Sequence, residues 1–169
     1  LITFRDEIGK RPPLATMELL WTAHRGEHLR ICGFVHPPTA NLAKETLALL
    51  GETNLVTVKG LEGGTDLPIS HTCITARTQA GVSKRMNLKS RDHDCHGIDE
   101  KLRTLDDWHT QAMEALHSQG PLKQAVRWNA GVYLWLSGIT KNIDEGILHA
   151  DGLIQTGSAK AKLKELITW

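Results

Sequence analysis

The sequence predicts an α/β fold: one domain over residues 1–169, with a mostly parallel sheet, a β-hairpin and a C-terminal cluster of helices. Three observations lead there. Two apolar runs, 29–35 and 54–59, flank a stretch of helical spacing. That strand–helix–strand order is the signature of a right-handed crossover between parallel strands. A second pair of runs, 72–78 and 82–88, is joined at Gln79-Ala80-Gly81 as a hairpin would be. In the last third, apolar residues recur at helical intervals.

Each element has its own local cause. The run Leu29 to Val35 ends at His36-Pro37-Pro38, where proline stops the ladder and can open a helix. Leu42, Ala43, Leu47 and Leu50 then repeat on one helical face, and Gly51 supplies the stop. Asn54 to Lys59 follows as a strand. After the hairpin, Lys89 to Glu100 is polar and reads as a surface loop. A helix from about Leu102 to His117 carries Leu105, Trp108, Ala112 and Leu116 at helical intervals. Pro121 opens another, with Leu122, Ala125, Val126, Ala130, Tyr133 and Leu136 facing inward up to Gly138. Asn142 with Glu145 three residues on is close to a capping box, Gly157 ends that helix, and Ser158 to Ile167 forms the last one.

Bulk composition narrows the function. The 20 basic and 19 acidic side chains leave a net charge of +1, which argues against a chain devoted to coating nucleic acid or anionic membrane. No stretch approaches the roughly 18 apolar residues of a membrane span. The three cysteines are an odd number without CxxC spacing, so reduced thiols and a cytoplasmic location are expected.

The chemistry-bearing segment is Lys59 to Ser70. It follows an apolar strand directly, at the strand end where ligands bind in open parallel sheets. Gly60, Gly63 and Gly64 lack Cβ atoms and let backbone N–H groups approach a phosphate closely. Glu62 and Asp66 offer the hard oxygen ligands that Mg²⁺ prefers when it also holds phosphates. The competing reading is a tight surface turn whose acids face water. His93-Asp94-Cys95-His96 are all metal-ligand types, but neighbours in one loop rarely converge on one ion, so a solvated loop is expected. His24 and His28 read as surface residues beside Arg25 and Arg30. Trp21, Trp108, Trp128, Trp135 and Trp169 could stack bases, although Trp128 and Trp135, seven apart on one helix face, more simply read as core.

Several segments together resemble the anthranilate phosphoribosyltransferase family. They are Phe4 to Arg11, then Gly33-Phe34-Val35-His36-Pro37 with its helix to Gly51, and then the 60–70 loop where that family has an acidic loop. Asn129-Ala130-Gly131, Gly138, Asp144-Glu145-Gly146, Ala150, Ile154, Gly157, Ala159 and Leu163 follow the family's C-terminal helical pattern. The resemblance implies the C-terminal part of a phosphoribosyltransferase large domain. It implies transfer of phosphoribosyl from phosphoribosyl pyrophosphate to an aromatic amine such as anthranilate, in tryptophan biosynthesis, with Mg²⁺ neutralising the leaving group. Arg5 stands where the family has an arginine that contacts the aromatic carboxylate, and Asp66 carries over as a metal ligand. Thr65 replaces the family's preceding acid, and Pro12 to Thr16 replaces a Thr-aliphatic-Phe-Asn run. These departures raise the alternative of a nucleic-acid-binding protein on the same fold. The family's donor loop and its helical dimerisation domain lie upstream of the matching segments, so the fragment alone is expected to be inactive.

Overall fold

The computed structural model describes residues 19–22, 24–101 and 103–168, with single positions 3, 6, 7 and 9. Arg5, the Pro12 to Thr16 tract and Trp169 lie outside the described residues. A four-stranded sheet runs in the order β1 (Arg30–Gly33), β2 (Asn54–Val58), β3 (Cys73–Gln79), β4 (Val82–Leu88). β1 and β2 are parallel and joined through helix α1 (Pro37–Leu49), as the crossover pattern predicts. His36 is extended at the N-cap and proline occupies the first turn, so the missing N–H falls where the helix has no use for it.

The sheet is mixed rather than mostly parallel, because β3 pairs antiparallel with both β2 and β4. The β3–β4 turn is tight: Ala80 and Gly81 both have positive φ, 46° and 81°, the twist that suits a two-residue hairpin loop. On the other side of β3, the 59–72 segment reverses the chain at the end of β2, and the Lys59 N–H donates to the Ile74 carbonyl at 2.9 Å. Leu55, Val56, Thr57 and Val58 are all buried, as in a strand covered on both faces. Leu55 packs with Cys32 and Leu47 on the α1 side, whereas Val56 and Val58 join Leu67, Ile69, Trp128 and Val132 in the larger core.

Four further helices follow: α2 (Leu105–Ala115), α3 (Lys123–Leu136), α4 (Ile143–Gln155) and α5 (Ser158–Ile167). The Asn142 side chain accepts from the Glu145 N–H at 2.8 Å, and the Glu145 carboxylate reaches back to the Lys141 N–H at 3.1 Å. This reciprocal cap is the one foreseen from the Asn142/Glu145 spacing. α3 and α4 touch backbone to backbone where Gly131 faces Gly146: a Cβ on Gly146 would lie 2.2 Å from the Gly131 carbonyl oxygen. Arg127 closes the same pair with a two-pronged bond to Asp151, at 2.6 and 2.8 Å.

On α2, Leu105 and Trp108 are 78% and 52% exposed, and the buried residue is Ala115. The apolar residues of α2 fall on more than one face, and the one turned to the body carries Ala115 and the half-buried Leu116. The core reading holds for fully buried Trp128 and for Trp135, which packs against the same core, while Trp21 and Trp108 are exposed. All three cysteines are free and buried, and burial pushes the Cys73 thiol up to about 12. Among the described residues, no helix is long and apolar enough to cross a membrane.

Candidate functional site

The glycine-rich loop sits over the carboxyl ends of the two parallel strands. β2 leads straight into it, and β1 contacts it through Gly33, where a Cβ would stand 2.3 Å from the carbonyl oxygens of both Gly63 and Gly64. Gly60 is constrained likewise, its Cβ position lying 2.3 Å from the Gly64 oxygen. The loop therefore closes against strand and self only because these positions lack side chains. Inside it, Leu61 to Gly63 form one 3₁₀ turn, with Glu62 and Gly63 at φ 52° and 80°. Leu61 N–H donates to the Asp66 carbonyl at 2.9 Å, drawing the two ends together.

Side chains from elsewhere hold the rest. Asn129 on α3 accepts from the Leu67 N–H at 2.8 Å and donates to the Leu67 carbonyl at 3.1 Å. One turn on, the Tyr133 hydroxyl donates to the Thr65 carbonyl, and burial raises its pKa, so the donating proton stays in place. Asp99 accepts from the Ile69 N–H at 2.7 Å and the Ser70 hydroxyl at 2.5 Å. His71 completes a Ser-His-Asp cluster in composition only. Ser70 and Asp99 both approach the same ring nitrogen, Nδ1, at 2.7 and 3.6 Å, which leaves no relay from acid through imidazole to hydroxyl.

Glu62 and Asp66 are exposed and line one cavity of about 360 Å³. The rest of its lining comes from Asp99, Glu100, Lys101 and Arg103 and from Asp107, Trp108 and Gln111 on α2. A second cavity, about 560 Å³, lies between β1 and helices α3 and α4, and is apolar apart from the Tyr133 and Ser137 hydroxyls. No group of three or more His, Cys, Asp or Glu able to hold a metal occurs among the described residues. That excludes a closed protein cage there, but not the open arrangement of Mg²⁺, which takes one or two carboxylates and fills its shell with water and phosphate oxygens. Glu62 and Asp66, the two acids that the loop brings to a cavity also lined by Asp99, Glu100 and Asp107, are of that donor type.

The sequence-predicted residues thus separate into groups. Gly60, Glu62, Gly63, Gly64 and Asp66 come together in one loop, while Arg5 lies outside the described residues. The 93–96 segment is not the solvated loop that its composition suggests. Cys95 is fully buried, and His93 packs on Trp128 with ring centres 5.6 Å apart and pairs with Asp144 at 2.6 Å. His28 and Arg30 are not bare surface residues either: both engage Glu52, at 3.0 and 3.3 Å, and Arg30 is buried. Asn129, Tyr133, Asp99 and Gly33 acquire their loop contacts only in the fold. Asn129 and Gly33 stand in segments that carry the family resemblance, but nothing in the sequence links them to this loop.

No protein-family model matches the chain. Among curated proteins, it is 26% identical over 167 residues to the anthranilate phosphoribosyltransferase of Laribacter hongkongensis. It is 25% identical to that of Chromobacterium violaceum over the same length. This chain matches the C-terminal half of anthranilate phosphoribosyltransferases. Each of these alignments covers 96% of the chain and 48% of the relative, so the chain spans about half the length of the curated proteins it matches. The fold agrees. Saccharomyces cerevisiae anthranilate phosphoribosyltransferase in complex with 4-fluoroanthranilate superposes with a TM-score of 0.75 at 16% identity, covering 98% of this chain and 49% of that one. The same yeast enzyme in complex with PRPP and Mg gives 0.70 at 17% identity, covering 96% and 48%. Neither these similarities nor the described residues support a homodimer or a nucleic-acid ligand.

Proposed function

We propose that this chain forms the C-terminal half of a phosphoribosyltransferase large domain and that its glycine-rich loop receives the Mg²⁺-bound pyrophosphate group of phosphoribosyl pyrophosphate. The observation that carries the reading is the pairing of Glu62 and Asp66 on one cavity at the carboxyl ends of parallel strands. The fold it sits in is shared with a solved enzyme that binds PRPP and Mg.

The residues divide the work by their chemistry. Glu62 and Asp66 hold the cation, which when bound neutralises charge on the departing pyrophosphate. Gly60, Gly63 and Gly64 keep the loop free of Cβ atoms, so a phosphate can come within reach of backbone N–H groups. The acceptor is an aromatic amine of the anthranilate class, with Arg5 as the guanidinium that grips its carboxylate in a two-pronged manner. The donor loop and further acceptor contacts belong to the half of the fold that the matching segments do not include.

Asp66→Asn and Glu62→Gln test this in a calorimetric titration of the full chain with Mg²⁺ and inorganic pyrophosphate. Each exchange is expected to weaken Mg²⁺-dependent binding by at least about tenfold, with the melting temperature unchanged because both side chains are exposed. Binding that is the same in wild type and both variants would refute the loop as the cation site.

A further inference from the structure

The two residues flanking Asp66 are held from outside the loop by one helix. Asn129 treats Leu67 as a neighbouring strand would, accepting from its N–H at 2.8 Å and donating to its carbonyl at 3.1 Å. Its second amide proton goes to the Ala125 carbonyl at 2.9 Å, which locks the side chain to its own helix. Tyr133 lies four residues later, hence on the same face, and its hydroxyl donates to the Thr65 carbonyl. The far side of α3 is rigid, since Trp128, Val132 and Leu136 are fully buried in the main core. Among the described residues the Asp66 carboxylate makes no hydrogen bond, so its direction depends on the backbone to which it is attached.

We propose that Asn129 and Tyr133 are positioning residues that set the backbone at Thr65–Leu67 and so aim the Asp66 carboxylate into the cavity. The inference rests on the reading of this loop as the cation site. Neither side chain lines that cavity, and both act through backbone that carries the ligand. An exposed loop with a positive-φ residue at Glu62 would otherwise sample several arrangements, only some of which turn both acids to one side. Borrowing the stiffness of a core helix removes that freedom before the ligand arrives.

The test uses Tyr133→Phe, which deletes one hydroxyl, and Asn129→Ala, which deletes three hydrogen bonds, in the full chain. Amide hydrogen exchange over residues 61–69 is expected to accelerate by roughly three- to tenfold in Tyr133→Phe and more in Asn129→Ala, with the α3 and α4 amides unchanged. Affinity for Mg²⁺ with inorganic pyrophosphate is expected to fall by about tenfold. Exchange that stays at wild-type rates in both variants, or that rises evenly along the whole chain, would overturn the positioning role. Tyr133→Phe keeps that outcome available even if Asn129→Ala does not fold. Wild-type protein with no affinity for Mg²⁺ and pyrophosphate would instead remove the cation-site reading, while the exchange data would still decide whether α3 holds the loop.

Discussion

Gly131→Ala is expected to be strongly destabilising in the helical layer. A Cβ at this position would stand 2.4 Å from Ile147 Cγ1, 2.8 Å from the Ile147 backbone nitrogen and 3.0 Å from its Cα. Rotating Ile147 could relieve the first contact but not the other two, because they are backbone. Restoring ordinary contact requires α3 and α4 to separate by roughly 1 Å, in a core packed too densely to absorb it. The same separation would stretch the Arg127–Asp151 bonds, now 2.6 and 2.8 Å, so the overpacking is not offset elsewhere. The cost is about 2–4 kcal/mol, the upper part of the range for overpacked cores. At this chain size it amounts to a fall in Tm of about 5–15 °C. Gly152→Ala on the same α4 is the control, since nothing lies within 4 Å of its Cβ position. It should stabilise by about 0.5–1 kcal/mol through helix propensity alone. Thermal and urea unfolding followed by circular dichroism at the helix band give both values. Equal effects from the two substitutions would refute the idea that close backbone approach, rather than glycine content, governs this layer.

Two more outcomes follow from the loop and from β1. Gly60→Ala, whose new methyl would meet the Gly64 and Asp66 carbonyl oxygens at 2.3 and 2.8 Å, should abolish Mg²⁺-dependent pyrophosphate binding in calorimetry. The core should stay folded, and unaltered binding would contradict the closed-loop geometry. The His28 imidazole should titrate above 6.5 by NMR, chiefly because it bonds the Gly26 carbonyl, with Glu52 adding to the effect. Because the folded-state pKa is raised, its stabilising contribution is full below the unfolded value of about 6.5 and is lost as pH rises through the folded one. A His28 midpoint at or below 6.5 would refute this.

Much of the architecture was legible from local patterns. The Pro37-Pro38 helix start, the Ala80-Gly81 turn and the Asn142/Glu145 cap all depend on residues within a few places of one another, and each appears where the sequence puts it. The glycine-rich loop and its two acids were legible for the same reason, since glycines and carboxylates directly after a buried strand form a short-range pattern. The direction of β3 was less legible, because a strand's alternation does not say which way it runs beside its neighbour. The exposure of Trp108 and Leu105 on α2 was not legible, because helical spacing marks apolar faces without saying which of them meets the body of the protein. Burial of Cys95 and the His93–Asp144 pair were hidden as well, since a polar composition resembles solvent exposure until distant elements cover it.

The sequence by itself determined the α/β class, the order of helices and strands and the placing of glycines and acids in one short loop, since these rest on backbone preferences and periodicity over short stretches. Only the tertiary structure decided the mixed sheet, the meeting of Gly131 with Gly146 and the hold of Asn129 and Tyr133 on residues more than sixty places away. Contacts of that kind depend on where whole elements pack, and no local pattern along the chain records it.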